Sequence, residues 1–354
     1  MSDFFIKSHK GEYSVNIIND PFDQLSKYND KTCFIIDKKV FELYQEQLKK
    51  VITDRYILIE ATEENKQLDK FSNYTLCLVE KNIKRDHILV AIGGGIIQDI
   101  TCFLASTLFR GMEWQFFPTT LLAQADSCIG SKSSINIEGY KNLMGTFYPP
   151  SKIFISMSFL ETLSHTEMQS GVGEILKVHM IDSLESFLNA SQNYFSFFNK
   201  PNILETFILN SLKIKQKIIE TDEFDKNLRN IMNYGHSFGH AIESATNFNI
   251  PHGVAVTIGM DMANYFSYKL KLCSENLFRN THNKLVHNFK DFNSIPINFD
   301  LFSKAISADK KNVEDDISLI LVQMDKPINK IRVPKDEMFW KLCKKYFKEE
   351  YRNA

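Results

Sequence analysis

The chain has 354 residues, of which 44% are hydrophobic and 24% are charged, and this length and composition suit a globular protein with two domains. The formal net charge of −1 at pH 7 provides no strong positive field, which argues against nucleic acid as a partner. The six cysteines form no CxxC pair, the N-terminus is too polar for a signal peptide, and no apolar run reaches about 20 residues, so we expect a soluble, cytoplasmic protein without membrane contact.

The first 160 residues alternate between short β-branched runs and amphipathic segments. We predict strands and helices in turn, at Thr32–Ile36, Val40–Val51, Tyr56–Glu60, Lys66–Lys81, His87–Ile92 and Ile96–Phe109. Such alternation is typical of a parallel sheet covered by helices. We therefore predict an α/β domain over residues 1–160.

The pattern over residues 161–354 is mostly helical, and we predict a second, all-α domain there. Its predicted helices are Thr166–Ile181, Ile203–Glu220, Asn227–Thr246, Val254–Leu270 and Met338–Tyr346, with one late strand at Ile317–Val322. A cleft between the two domains is the expected place for a small molecule.

A glycine turn, Gly93-Gly94-Gly95, follows the third predicted strand, and Asp99 lies in the helix after it. A strand, a glycine turn and a helix start together present backbone N–H groups and the helix dipole to a phosphate. The GxGxxG fingerprint is absent, and a tight turn without a ligand remains an alternative. Asp37, at the end of an early strand, could accept a ribose hydroxyl or cap a turn.

The stretch from residue 118 to 145 is dense in polar side chains, among them Asp126, Lys132, Asn136, Lys141 and Asn142. Lysines supply charge to phosphate, and amides and carboxylates bind hydroxyl groups, so this stretch suits a phosphorylated, polyhydroxylated substrate. A solvated surface loop would have the same composition.

Charged pairs follow in the helical half. Glu174 and Lys177 are three residues apart on one predicted helix face, which is also the spacing of an ordinary helical ion pair. Lys215 and Arg229 are separate surface charges or, if a cleft brings them together, a site for a carboxylate or phosphate.

Residues 233–240, NYGHSFGH, carry two histidines four apart, His236 and His240, on one predicted helix face. Glu243 follows on that face, and His252 is a third histidine nearby. These groups could hold a divalent metal, or they could belong to a core helix with hydrogen-bonded histidines. The two glycines of the stretch leave room for the approach of either a backbone or a ligand.

Together, these motifs resemble the 3-dehydroquinate synthase family of sugar-phosphate cyclases over nearly the full chain. Their order and spacing carry the resemblance, because no single motif would suffice. The matching residues are Gly93-Gly94-Gly95 with Asp99, Arg110-Gly111, the run from Pro118 to Ala123, Asp126-Ser127, Lys132, Lys141-Asn142, Glu174 with Lys177, Lys215, Arg229, the run from Asn233 to Glu243, and His252-Gly253.

The resemblance implies a Rossmann-like NAD-binding domain, a helical domain around a divalent metal (zinc or cobalt), and a homodimer. The positions that match the family's metal ligands are Glu174, His236 and His252. The positions that match its NAD-binding residues are Asp37, Glu63, Lys66, Gly94, Gly95, Asp99 and Thr119.

The resemblance also implies a substrate site. Its catalytic positions match Asp126, Lys132, Lys177, Asn233 and His240, and its further substrate-binding positions match Lys141, Asn142, Lys215 and Arg229. Arg110 matches an arginine that reaches into the partner's site, and one lysine of Asp309-Lys310-Lys311 matches a further phosphate contact.

The implied reaction converts 3-deoxy-D-arabino-heptulosonate 7-phosphate to 3-dehydroquinate and phosphate. Bound NAD transiently oxidises a ring hydroxyl that the metal polarises, phosphate is eliminated, the hydride returns, and an intramolecular aldol step closes the ring. Lys132 and Lys177 would favour the charged phosphate and enolate states, and His240 would orient or transfer a proton.

Several positions depart from the family's common pattern: Ser131, Ser133, Ser134, Tyr140 and Val254. They line or adjoin the expected substrate pocket, which leaves open a related cyclase acting on sedoheptulose 7-phosphate or glucose 6-phosphate. Lys215 and Arg229 favour the carboxylated substrate, since burying both cations beside a substrate without a carboxylate would be costly. A metal-dependent polyol dehydrogenase resembles the chain less.

Overall fold

The computed structural model describes residues 3–138, 140–308, 316–324 and 328–354. The chain forms two compact units. The first comprises the chain through Ser164 together with Gln216–Phe224, and the second comprises His165–Lys215 and the chain from Asp225 onward. The domains that we predict from the sequence are continuous, whereas in the structure residues 216–224 belong to the first unit.

A seven-stranded sheet forms the first unit. The strands of this unit are β1 (Phe4–Ser8), β2 (Gly11–Ile17), β3 (Thr32–Asp37), β4 (Tyr56–Ile59), β5 (Ile88–Gly93), β6 (Glu113–Pro118), β7 (Ile135–Ile137), β8 (Tyr140–Met144) and β9 (Lys152–Ile155). The order is β1-β2-β9-β6-β5-β3-β4, and all neighbours are parallel except β1 and β2. Strands β7 and β8 form a separate antiparallel hairpin. The parallel α/β sheet predicted from the sequence is confirmed.

The helices of this unit are α1 (Pro21–Leu25), α2 (Lys38–Leu43), α3 (Gln45–Val51), α4 (Lys70–Glu80) and α5 (Gly95–Thr107). Alternate residues of a strand share a face, so Phe34 and Ile36 of β3 join Val90 and Ile92 of β5 in one buried apolar cluster. The single helix predicted over Val40–Val51 is wrong, because the chain leaves helical geometry at Tyr44, between α2 and α3.

The second unit is helical, as predicted, and includes one hairpin. Its elements are α6 (His165–Asp182), α7 (Leu184–Gln192), α8 (Pro201–Thr221, whose last turns belong to the first unit), α9 (His236–Ala245), α10 (His252–Lys269), α11 (Glu275–Phe289), α12 (Phe299–Ser307), β10 (Asp316–Val322), β11 (Ile328–Pro334) and α13 (Glu337–Tyr346). The late strand predicted at Ile317–Val322 is confirmed, and it pairs with β11. No helix within the described ranges combines the length and apolarity that crossing a membrane requires.

The continuous helix predicted over Asn227–Thr246 is wrong. Residues Leu228–Asn233 form a 3-10 helix, and Gly235 adopts φ +78°, a left-handed conformation that interrupts the helix and that glycine tolerates best. Helix α9 therefore begins at His236. Asn233 does not share a helix with His236 and His240, in contrast to the sequence-based expectation.

Residues 216–224 attach to the N-terminal hairpin of the first unit. The side chain of Gln216 donates to the Phe5 carbonyl at 2.8 Å, and Glu220 accepts from the Lys7 backbone N–H at 3.0 Å. Glu223 lies 2.9 Å from Nδ1 of His9. These long-range contacts explain why the end of α8 belongs to the first unit.

Candidate metal centre and dinucleotide site

Three helices of the second unit bring an acid and three imidazoles together. Glu174 comes from α6, His236 and His240 from α9, and His252 is the first residue of α10. Ligand atoms of the three histidines all lie within 4.8 Å of one another. Oε1 of Glu174 lies 3.5 Å from Nε2 of His252 and 3.9 Å from Nε2 of His236. The three metal-ligand candidates thus converge, and His240 lies beside them.

Glycines allow the backbones of these helices to approach this closely. A Cβ atom on Gly173 of α6 would lie 2.1 Å from the Gly253 carbonyl oxygen of α10. A Cβ on Gly259 of α10 would lie 2.0 Å from the carbonyl oxygen of Gly235, just before α9. Gly239 faces α10 as well, with a Cβ position 3.0 Å from Cα of Val256. The room that glycines leave in residues 233–240 is therefore filled by another backbone.

Hydrogen bonds orient the histidines. Nδ1 of His236 lies 3.2 Å from the Tyr234 carbonyl oxygen, and Nδ1 of His252 lies 3.3 Å from Oε2 of Glu243. Both partners accept hydrogen bonds, so each Nδ1 carries a proton. The lone pair of each neutral ring is then on Nε2, which faces the cluster. Burial lowers the pKa of His252, but the hydrogen bond to Glu243 and the charges of Glu243 and Glu174 outweigh burial and raise its pKa above the ordinary value.

The two oxygens of Glu174 have different neighbours. Oε2 lies 2.5 Å from Nζ of Lys177, and Oε1 faces the imidazoles. The side chains of both residues are almost fully buried, at 2% and 3% exposure. The pair is thus a buried ion pair rather than an ordinary surface one, and Lys177 is placed to hold the carboxylate in one orientation.

These distances fit a metal ion. Ligand atoms about 2.0–2.2 Å from a tetrahedral zinc lie about 3.3–3.6 Å from each other, so the Glu174–His252 separation already matches and the Glu174–His236 separation is slightly longer. Two neutral imidazoles and a carboxylate leave a fourth position open, as in catalytic sites. Glu243, which the sequence analysis grouped with the three histidines as a possible metal ligand, instead lies against Nδ1 of His252 and holds that ring.

The predicted NAD-binding residues gather at one edge of the sheet in the first unit. Asp37 ends β3, Gly94 follows β5, Thr119 follows β6, and Glu63 and Lys66 lie in a 3-10 helix after β4. These strands are adjacent and parallel, so their carboxyl ends meet at the edge where α/β proteins bind ligands.

The details of this edge suit a phosphate. Gly94 caps α5, and the Thr119 N–H donates to the Gly93 carbonyl at 2.9 Å. A Cβ on Gly94 would lie 3.0 Å from the Thr120 methyl, whereas a Cβ on Gly95 would make ordinary contact.

Asp37 accepts from the Lys39 N–H at 3.0 Å, so it caps α2, the structural role that the sequence left open.

A polar network joins Lys66 and Asp99, which are far apart in the sequence. Nζ of Lys66 lies 2.8 Å from Oδ2 of Asp99 and 3.1 Å from Oδ1 of Asn142. Ser134 donates to Asp99 through its N–H and its hydroxyl, each at 3.0 Å. Burial raises the pKa of Asp99 further than Lys66 and Ser134 lower it. Ser134, one of the departures from the family pattern, thus supports a predicted NAD-binding residue.

Glu63 has several polar partners. It accepts from the Asn136 side chain at 2.8 Å and lies 3.6 Å from Nζ of Lys141. Burial raises its pKa, but Lys66, Asn136 and Lys141 outweigh burial, so the pKa of Glu63 lies below its ordinary value. Asn136, which the sequence analysis counted among the polar side chains suited to a substrate, here donates to Glu63.

The other substrate-site candidates divide between the units. In the second unit, Lys215 and Arg229 are buried, at 7% exposure each, and Asn233 is half-buried. In the first unit, Asp126 is buried in a π-helical turn, and the exposed residues are Arg110, Lys132, Lys141 and Asn142. The lysine expected within Asp309-Lys310-Lys311 lies outside the described residues.

Comparisons with known proteins point to one enzyme family. Residues 56–170 match the family model for the 3-dehydroquinate synthase N-terminal region, and residues 171–312 match the model for the C-terminal region. The 3-dehydroquinate synthase of Clostridium tetani is 36% identical over 325 residues, covering 89% of this chain and 86% of that protein.

Two solved structures have the same fold. A 2-deoxy-scyllo-inosose synthase complexed with carbaglucose-6-phosphate, NAD⁺ and Co²⁺ has a TM-score of 0.82 at 23% identity, covering 99% of this chain and 100% of that one. The 2-epi-5-epi-valiolone synthase from Streptomyces hygroscopicus subsp. jinggangensis, with NAD⁺ and Zn²⁺ bound, has a TM-score of 0.79 at 23% identity, covering 94% and 97%.

Proposed function

This chain belongs to the 3-dehydroquinate synthase family, and from that premise we propose that it converts 3-deoxy-D-arabino-heptulosonate 7-phosphate to 3-dehydroquinate and phosphate, with NAD and zinc or cobalt as cofactors. The observation that carries the proposal is the convergence of Glu174, His236 and His252 in a chain with this family membership.

Glu174, His236 and His252 would hold the metal, and the first-unit edge around Gly94, Lys66 and Asp99 would hold NAD. When bound, the metal supplies a Lewis acid and NAD a reversible hydride acceptor, so the net reaction is a cyclising elimination without net redox change. The N–H groups at the start of α5 and the glycines before them suit the pyrophosphate of a dinucleotide.

The chain's own side chains would then bind and orient the substrate. Lys177 keeps Oε2 of Glu174 occupied, which leaves Oε1 for the metal. His240, whose ring centroid lies 5.4 Å from that of His236, is suited to hold or move a proton beside the metal. The substrate's phosphate and hydroxyl groups would be bound by Asp126, Lys132, Lys141, Asn142 and Asn233.

We further propose a homodimer in which Arg110 serves the partner's site. Phe109 and Arg110 adopt φ of +48° and +65°, left-handed conformations that non-glycine residues rarely adopt, and Gly111 follows at +125°. Backbone strain of this kind is typical of functional positions. Arg110 is one of the strained residues and is exposed, which supports the proposed role.

The substrate's carboxylate is the reason for choosing the heptulosonate. Lys215 and Arg229 are buried cations, and a carboxylate offers them a matching charge that sedoheptulose 7-phosphate and glucose 6-phosphate lack. The departures at Ser131, Ser133, Tyr140 and Val254 favour the second candidate, a related cyclase with one of those substrates.

A substrate panel tests the proposal. The protein is incubated with NAD, a divalent metal and each of the three sugar phosphates, and phosphate release and NADH absorbance are followed. We expect phosphate release from the heptulosonate without accumulation of NADH. Release from another sugar phosphate with the heptulosonate silent would contradict the substrate, and steady NADH formation without phosphate would indicate a polyol dehydrogenase.

Replacing Lys215 by methionine is expected to lower kcat/KM for the carboxylated substrate by about 10²-fold, since truncating one partner of a buried charge pair costs about 2–5 kcal/mol. NAD affinity should be nearly unchanged, because NAD is assigned to other residues. Lys213→Met is the matched control: the lysine is exposed on the same helix. Two results would remove Lys215 from the substrate site. One is an equal loss of kcat/KM in both variants, and the other is a loss of NAD affinity in Lys215→Met as large as its loss of kcat/KM.

A further inference from the structure

A cavity in the second unit is lined by a row of cations. Lys344, Lys348 and Arg352 are spaced four residues apart, the first in α13 and the others in and just after the π-helical turn Phe347–Tyr351 that continues it. All three line one cavity of about 300 Å³. The cavity shares no residue with the metal cluster or with the NAD-binding edge.

The charge of this row is not balanced locally. Glu349 lies 3.6 Å from Lys345, and Glu350 lies 2.6 Å from Arg279, so the two acids on this segment pair with other cations. Among the described residues, no carboxylate lines the cavity or pairs with its three cations. Like charges at this spacing repel each other, and a bound anion would relieve the repulsion.

Three aromatic residues and Ile297 form the rest of the wall. Phe299, Phe347 and Tyr351 line the cavity, and Nζ of Lys344 lies 4.9 Å from the centre of the Phe299 ring. The hydroxyl of Tyr351 is engaged elsewhere, since it donates to the carbonyl oxygen of Phe292 at 2.5 Å. Tyr351 is also almost fully buried, at 1% exposure, so the half-buried rings of Phe299 and Phe347 offer the apolar surface, and they favour a ligand with a flat, apolar body.

We propose that this cavity is a binding site for a small aromatic carboxylate. The ring of the ligand packs against Phe299 and Phe347, and its carboxylate lies among Lys344, Lys348 and Arg352. A volume of about 300 Å³ is at the small end of ligand pockets and suits a single ring. Zwitterions such as α-amino acids are disfavoured, because their ammonium group would meet three cations and no lining acid.

Calorimetric titration of the full chain at low salt tests the site with benzoate as the probe. We expect saturable binding of one benzoate per chain. Acetate has the charge without the ring, and benzyl alcohol has the ring without the charge. Each should bind at least about tenfold more weakly than benzoate. Inorganic phosphate or acetate binding as tightly as benzoate would contradict an aromatic site, and absence of saturable benzoate binding would overturn the proposal outright.

Paired charge reversals locate the binding. Lys348→Glu should weaken benzoate binding by about tenfold or more, while Lys345→Glu, in the adjoining helix α13 and outside the cavity, should leave benzoate binding nearly unchanged. Both variants change the net charge equally and affect exposed side chains, and circular dichroism checks their folding. Equal weakening by both would indicate unspecific attraction. Loss of binding in Arg229→Ala, with Lys348→Glu unaffected, would assign benzoate to the proposed substrate site instead and overturn the inference.

Discussion

Replacing His236 by alanine is expected to remove the metal and nearly all turnover. The substitution removes one of the nitrogen atoms that, with Glu174 and His252, surround the proposed ion. Loss of a residue that merely orients a ligand typically lowers metal affinity about 10–100-fold, so loss of a ligand should exceed that range. The measurement is metal content per chain after dialysis, together with phosphate release from the substrate.

Graded variants sharpen this experiment. Glu243→Ala removes only the partner of Nδ1 of His252, and it should weaken metal binding by about 10–100-fold. His240→Ala should keep the metal and lose activity, because we assign His240 to proton transfer. His165→Ala, an exposed histidine of the same unit, is the control that should change neither. Unchanged metal content in His236→Ala would refute the assignment, and metal loss in His240→Ala would make His240 a ligand.

The second large effect is expected from Gly259→Ala. An alanine in a helix interior is normally more stable than glycine by about 1 kcal/mol. Here the added Cβ would lie 2.0 Å from the Gly235 carbonyl oxygen and 2.8 Å from the Gly239 nitrogen, both backbone atoms. Helices α9 and α10 would have to separate. We expect the loss of stability to reach or exceed the roughly 1–3 kcal/mol that overpacking usually costs.

Urea unfolding and metal content together measure this effect. Gly239→Ala, whose Cβ would meet Val256 at 3.0 Å, should have a milder effect, so the two variants should rank by clash distance. The same separation would move His236 of α9 away from His252 of α10, because the two histidines are on the two helices that separate. Metal binding should therefore fall as well. A Gly259→Ala protein that is more stable than the native chain would contradict this packing role.

The elements that local pattern could predict were those with strong periodicity. Helices α6, α8, α10 and α13 and strands β3, β4 and β5 were expected within a few residues of their observed bounds. The strands β1, β2, β6 and β9 were not predicted, because short apolar runs are compatible with either a strand or a buried helix until their partners are known. The break at Gly235 is a tertiary effect: the chain turns there against α10, which no helical period reveals.

Within the candidate site, motif order was informative about residue type and chain position. It led to Glu174, His236 and His252 together, and to a glycine turn before α5. It did not reveal the Lys66–Asp99 contact, because the two residues follow β4 and β5, which flank β3, and they meet only when the sheet brings the carboxyl ends of these strands to one edge.

By itself, the sequence determined the α/β and helical halves, the candidate site residues and the family resemblance, since these depend on residue type and local spacing. Tertiary structure alone decided which oxygen of Glu174 faces the histidines, that Glu243 holds His252, and that glycines admit a neighbouring helix. The physical reason is that each of these features is a distance of a few ångströms between different helices. Such distances are set by backbone packing, which spacing along one chain does not encode.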